Sequence, residues 1–174
     1  MESFTSVSVL QAKLQAWCVA MLSVVVDAYQ LGAVIGQGAR VVADDAALAR
    51  GEFLSPDVMF VPTAARKSVG RDAVRGAPGL AIDILHSQVP PAEREALRRR
   101  YAGLGVLEYW QIEADTAQAA LYQASADWQY DLIPPDKAGM YFSAAIPELS
   151  FPVKWFREQP GVWTVMKRWG MIGD

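Results

Sequence analysis

Three stretches decide how this chain reads: Ser55–Val61 (SPDVMFV), Gly76–Ser87 (GAPGLAIDILHS) and Arg98–Ala114 (RRRYAGLGVLEYWQIEA). Asp57 follows a proline at the head of one short apolar run, and Asp83 lies inside another, Leu80–Leu85. A carboxylate in a run that otherwise reads as a buried strand is costly unless it has a partner, a proton or a metal. Two such carboxylates, each on its own predicted strand, point to a divalent-cation site. Asp57 also reads as a turn residue after proline; Asp83 has no such second explanation.

Working outward, Pro90-Pro91 opens a helix predicted to run to about Ala102, closed by Gly103 and Gly105. It lies between a strand over 80–85 and another over 107–113. A strand–helix–strand unit of this kind makes its two strands parallel. A strand over 58–61, ended by Pro62, is expected beside 80–85. Alternation along the strand places Asp83 on one face with Ala81 and Leu85, while Leu80, Ile82 and Ile84 face the other way. Upstream, a helix is predicted over about 6–30, with Val9, Leu10, Leu14, Trp17, Met21, Val24, Val25 and Ala28 near one stripe. Short strands are predicted at 33–35 and 40–43. Residues 44–53 read as a loop or a single helical turn, and 64–76 as a solvated connection. Downstream come a hairpin at 119–122 and 128–132, a turn-rich stretch after Pro134-Pro135, and a Trp-rich tail over 146–174 whose end forms a short helix. The reading is one α/β domain over 1–174, with its core at about 55–133.

The chain has 174 residues, enough for a sizeable core, and 52% of them are hydrophobic. One cysteine, Cys18, excludes an internal disulfide framework and fits a reducing compartment, so the expected location is the cytoplasm. With one histidine, His86, a protein-built zinc site is excluded, and any metal should be a hard, oxygen-seeking ion such as Mg²⁺. The net charge of −3 gives no global grip on nucleic acid, though it leaves room for a local basic patch. The N-terminus lacks the pattern of a secretory leader, and the apolar run 16–26 is too short to span a bilayer. No membrane association is expected.

The order of these features resembles the Uma-type restriction endonuclease family of the PD-(D/E)XK nuclease superfamily. The resemblance is carried by Ser-Pro-Asp-Val at 55–58, the acidic strand residue Asp83 followed by Ile-Leu, Tyr101, and Gly-Val-Leu-Glu-Tyr-Trp at 105–110. It extends to Ile-Pro-Glu-Leu at 146–149 and the Trp-rich tail. It implies a restriction-endonuclease-like mixed β-sheet flanked by helices, and Mg²⁺- or Mn²⁺-dependent hydrolysis of phosphodiester bonds, with DNA as the expected partner. Asp57 and Asp83 match the two metal-binding, catalytic acids, and the carbonyl of Ile84 would be a further oxygen ligand.

The match also predicts a degenerate site. The superfamily's lysine slot after the second acid holds Leu85, and the family's alternative slot, four residues before Tyr101, holds Leu97. The alternative function is therefore an inactive nuclease fold serving as a binding or oligomerisation module. Arg94, Arg98 and Tyr101 share one helical face by spacing and could meet phosphate, although 98–100 reads equally well as a solvated face. His86, Gln111 and Glu113 are further candidates: His86 by its place just beyond the strand, Gln111 and Glu113 by sharing a face with Tyr109. Trp110 and Tyr109 read as core. The exposed area expected of Trp155, Phe156, Trp163, Trp169 and the apolar N-terminal helix points to a homodimer.

Overall fold

The computed structural model describes residues 8–36 and 38–173. Helices are α1 (Val9–Ala28), α2 (Asp45–Ala49), α3 (Pro91–Leu104), α4 (Trp155–Glu158) and α5 (Val162–Arg168). Strands are β1 (Gly32–Gly36), β2 (Arg40–Val42), β3 (Val58–Pro62), β4 (Ala73–Arg75), β5 (Leu80–Leu85), β6 (Glu108–Glu113), β7 (Ala119–Ala124), β8 (Tyr130–Leu132), β9 (Met140–Phe142) and β10 (Ser150–Pro152).

A six-stranded sheet has the order β1-β3-β5-β6-β7-β8. The pair β5–β6 is parallel, with Leu80 opposite Glu108 and Asp83 opposite Gln111. Every other neighbouring pair in this sheet is antiparallel. The predicted parallel crossover through α3 is present, and β3 lies beside β5 as expected. Pro91 sits in the first turn of α3, and Gly105, in left-handed conformation (φ 91°), ends it. There Gly105 N–H donates to Ala102 O and Val106 N–H to Tyr101 O, so the last carbonyls are satisfied.

Side-chain alternation splits the core between two faces. Val58, Phe60, Leu80, Ile82, Ile84, Trp110 and Ile112 pack with α1 and the C-terminal elements. Met59, Val61, Ala81 and Tyr109 pack on the other face, with Tyr101 of α3. Asp83 follows Ala81 onto that second face, as its position in the strand predicts.

Several expectations are corrected. Helix α1 begins at Val9, capped by the Ser8 hydroxyl accepting from Gln11 N–H; positions 6 and 7 of the predicted helix lie outside the described residues. Its buried stripe is Leu14, Cys18, Met21, Leu22, Val25 and Val26, while Val9 and Leu10 are exposed. An almost uniformly apolar helix does not declare its inner face by periodicity. At 20 residues α1 is long and apolar enough, by length and composition alone, to cross a membrane; here that stripe packs into the core. The stretch read as a solvated connection contains β4, which pairs in parallel with β2. The turn-rich stretch and tail contain the antiparallel pair β9–β10 and two short helices.

The tail also corrects the argument for a dimer. Trp155 and Phe156 are buried, and Trp169 packs beside them and donates to Ser150 O. Of the four aromatics invoked, only Trp163 is largely exposed. The chain's own core absorbs most of the tail's aromatic area, while Trp163 and the start of α1 at Val9 and Leu10 stay exposed.

Glu108 ties this tail to the sheet. It is fully buried, and its carboxylate accepts from Trp110 Nε1, Tyr141 OH, Ser143 Oγ and the Ala144 and Ala145 N–H groups, all at 2.7–2.8 Å. Removing the carboxylate leaves those donors buried without a partner. Glu108→Ala should therefore cost about 4 kcal/mol or more in urea unfolding. Glu108→Gln should also be costly, since whichever way its amide turns, the NH₂ faces an N–H donor, either Trp110 Nε1 or the Ala144 and Ala145 N–H groups. A loss below about 1 kcal/mol for either variant contradicts this role.

Candidate active site

The candidate site lies at the C-terminal end of β5, where β3, β6, α1 and α3 converge. Asp83 is buried on the α3 face of the sheet. One of its oxygens accepts from Tyr101 OH at 3.1 Å and the other from Tyr109 OH at 2.7 Å. Tyr101 comes from α3. Tyr109 comes from β6, where parallel register sets it opposite Ala81 and on the face of Asp83. The two rings lie against each other, with centroids 4.4 Å apart. Two tyrosines from different elements thus fix the orientation of this carboxylate.

Asp57 is also buried, at the entry to β3. Its Oδ2 accepts from the N–H of Ile84 at 2.7 Å, which fastens it beside the residue that follows Asp83. Two glutamines of α1 complete the frame. Gln11 Nε2 donates to Ile84 O at 3.1 Å, and Gln15 Nε2 donates to Asp57 O at 2.9 Å. The candidate backbone ligand, Ile84 O, is therefore held in place by Gln11.

Burial dominates the electrostatics. Desolvation pushes the Asp83 carboxyl up to about 7, opposed by the Tyr109 hydrogen bond and reinforced by the charge of Asp57. Desolvation also raises Asp57, against the favourable Ile84 N–H and Gln11 bonds. Burial beside Asp83 raises both tyrosines, so they remain donors. Among the described residues, neither acid forms a salt bridge with a cationic side chain. Arg100 only lowers Asp83 from a distance, while its guanidinium donates to Phe53 O.

The other predicted residues scatter. Arg94, Arg98 and Tyr101 do not act as one face toward the acids. Arg94 donates to Val89 O and His86 O and pairs with Glu113 at 3.1 Å. It thereby staples the β5–α3 loop to the end of β6. Glu113 also accepts from Thr116, so each of its oxygens has a partner outside the Asp57–Asp83 pair. No group of three or more His, Cys, Asp or Glu among the described residues could hold a metal. His86 is exposed and lies 3.8 Å from Asp115. Arg98 pairs with Glu95 and donates to Gln111 Oε1 and Tyr122 OH. Gln111 in turn donates to Tyr109 OH and Arg94 O, so it supports the site one bond behind Asp83. Leu97 is half-buried and packs with the cluster that contains Tyr101 and Tyr109.

Sequence reasoning assigned Tyr109 to the core and passed over Gln11 and Gln15. Tyr109 is in the core, and its hydroxyl is also the shorter bond to Asp83. Its shared face with Gln111 was the signal. For the glutamines, the signal was a pair of amides four apart on a largely apolar helix.

The donor set fits a hard divalent cation. Two buried carboxylates and one backbone carbonyl offer oxygen alone, and Mg²⁺ commonly takes one or two protein carboxylates and completes its shell with water and phosphate.

The raised acids give a pH test. A carboxyl whose folded pKa exceeds its unfolded value binds more protons when folded, so its contribution is present at low pH and lost as pH rises through the folded pKa. Taking Asp83 at about 7, chelator-treated protein should lose about 2 kcal/mol of unfolding free energy between about pH 5.5 and about pH 8. Asp57 adds in the same direction. Asp83→Asn should flatten most of that slope; equal slopes for variant and wild type, by urea titration, would show that Asp83 is not strongly shifted.

Comparison with known proteins agrees with this architecture. The Uma2 family profile, described as "Putative restriction endonuclease", matches residues 5–154. Among solved structures, the chain is similar to a putative nuclease belonging to DUF820 from Anabaena variabilis. The TM-score is 0.66 at 15% identity, over 87% of this chain and 82% of that one. At that identity the likeness concerns the fold. No curated protein is matched.

Proposed function

The chain belongs to the Uma2 restriction endonuclease family, and from that premise we propose that it is a divalent-metal-dependent endonuclease, acting on DNA through a pared-down site. The observation that supports this most is the Asp57–Asp83 pair: two buried carboxylates in one another's field, with no ion-paired cation. A fold that only needed stability would gain by replacing such a pair with apolar residues.

Each residue has a distinct task in this reading. Asp57, Asp83 and the Ile84 carbonyl hold Mg²⁺ or Mn²⁺. Tyr101 and Tyr109 set the rotamer of Asp83, and Gln11 sets the Ile84 carbonyl. When bound, the cation supplies Lewis-acid polarisation of water and phosphate and offsets developing charge. Leu85 and Leu97 are each half-buried and donate nothing to a phosphate. Arg98 is the nearest supporting cation by hydrogen-bond connection, and it can hold phosphate charge but does not exchange a proton.

A second reading is the inactive module, favoured by the apolar side chains at Leu85 and Leu97 and by the pairing of Glu113 with Arg94. Cleavage of labelled DNA in Mg²⁺ and Mn²⁺ separates the two. Slow cleavage by wild type, lost in Asp83→Asn, supports the endonuclease. Losing one transition-state charge stabiliser typically costs about 10²–10³ in rate. Leu97→Lys should therefore raise cleavage at least about tenfold, provided the variant melts as a folded protein. If wild type and Leu97→Lys both fold and neither cleaves above Asp83→Asn, the inactive module is the better account.

A further inference from the structure

Between α3 and the β7–β8 hairpin lies a groove of about 540 Å³, lined by Glu95, Arg98, Arg99, Trp128, Gln129 and Tyr130 among others. That is the volume of an ordinary small-ligand cleft. Resting on the nuclease reading above, we infer that this groove holds an unpaired nucleotide of a nucleic-acid strand, its base on the Trp128 indole and its phosphates met by Arg98 and Arg99.

Trp128 carries the inference. It stands at the hairpin tip with positive φ (55°), a conformation that bulky residues rarely adopt. Half of its surface is exposed (51%). Its ring lies over Gly105: a Cβ built on that glycine would meet Trp128 Cη2 at 3.8 Å. A strained backbone that presents a large aromatic ring to solvent calls for a reason outside the core. An indole is among the best platforms for an unstacked base, because every base offers a π-face.

Charge points the same way. The chain carries −3 overall, yet α3 alone holds Arg94, Arg98, Arg99 and Arg100 against Glu93 and Glu95. Arg98 and Arg99 both pair with Glu95, and Arg98 also lies over the Tyr122 ring, 5.1 Å from its centroid. Glu95 is partly exposed and can give up both arginines to an incoming phosphate.

The groove is wired to the acids. Arg98 donates to Gln111, Gln111 to Tyr109 OH, and Tyr109 OH to Asp83. The rings of Tyr130, Tyr109 and Tyr101 run beside this chain, with successive centroids 5.9 and 4.4 Å apart. A strand gripped at Trp128 and Arg98 is thereby coupled to the support of Asp83.

Fluorescence anisotropy with a short labelled single-stranded oligonucleotide and its matched duplex, in EDTA so that nothing is cleaved, tests the groove. Wild type should prefer the single strand. Trp128→Ala should weaken that binding roughly 5- to 150-fold, and Trp128→Phe should retain most of it. Arg99→Ala should reduce the salt slope by about 0.7, the share of one single-strand phosphate contact. Glu95→Gln should bind more tightly than wild type, because it removes the competing carboxylate. Melting curves establish that each variant is folded. If wild type binds but Trp128→Ala and Arg99→Ala bind equally well, the groove is refuted, while Asp83-dependent cleavage would leave the nuclease reading standing. If Trp128→Ala loses binding yet cleavage is the same in Asp83→Asn, the groove stands and the acid site fails. Absence of any nucleic-acid binding by wild type overturns the groove outright.

Discussion

The parallel pairing of β5 with β6 is the constraint on which the site depends. Its register runs from Leu80 opposite Glu108 to Leu85 opposite Glu113. That register puts Tyr109 and Gln111 on the face of Asp83, where they become its hydrogen-bond support. It also sends Glu108 to the opposite face, where it fastens the segment after β9. A shift of one residue would exchange the two sets and bury each acid among the wrong partners. The α3 crossover enforces the parallel arrangement and, in the same step, delivers Tyr101 to Asp83.

Asp83 and Glu108 are two buried carboxylates with opposite endowments. Glu108 receives hydrogen bonds from its own neighbour Trp110, from Tyr141, from Ser143 and from two backbone N–H groups. Its lone pairs are occupied, and it acts as a structural fastener. Asp83 receives only two hydroxyls and sits in the field of Asp57. It is oriented more than it is neutralised. Such an acid is suited to take either a proton or a cation, and that difference separates the candidate site from the scaffold.

Much of this was legible in sequence because it rests on period and punctuation. The apolar run broken only by Asp83, the proline opening of α3 and the glycine that closes it define the central unit without long-range information. The restriction-endonuclease-like architecture is what the family resemblance carried by the same stretch implies. What was not legible depends on rotation and partner choice. The apolar composition of α1 concealed its inner face, the stripe from Leu14 to Val26 that packs into the core, and the glutamines Gln11 and Gln15 that reach the acid strands. Arg94 and Arg98 share a helical face by spacing, yet one is drawn to Glu113 and the other to Gln111, because their long side chains follow the nearest acceptor. Strands β4, β9 and β10 are each three residues long, too short for alternation to show.

The account turns on whether Asp57 and Asp83 together hold a divalent cation. Anomalous diffraction from crystals soaked in Mn²⁺ tests this most directly, since it locates the ion without requiring turnover. The account predicts one peak coordinated by both carboxylates and the Ile84 carbonyl, and its loss in Asp83→Asn. A peak elsewhere with these two acids unliganded, or no peak in crystals whose Tyr101 and Tyr109 still hold Asp83, would contradict it.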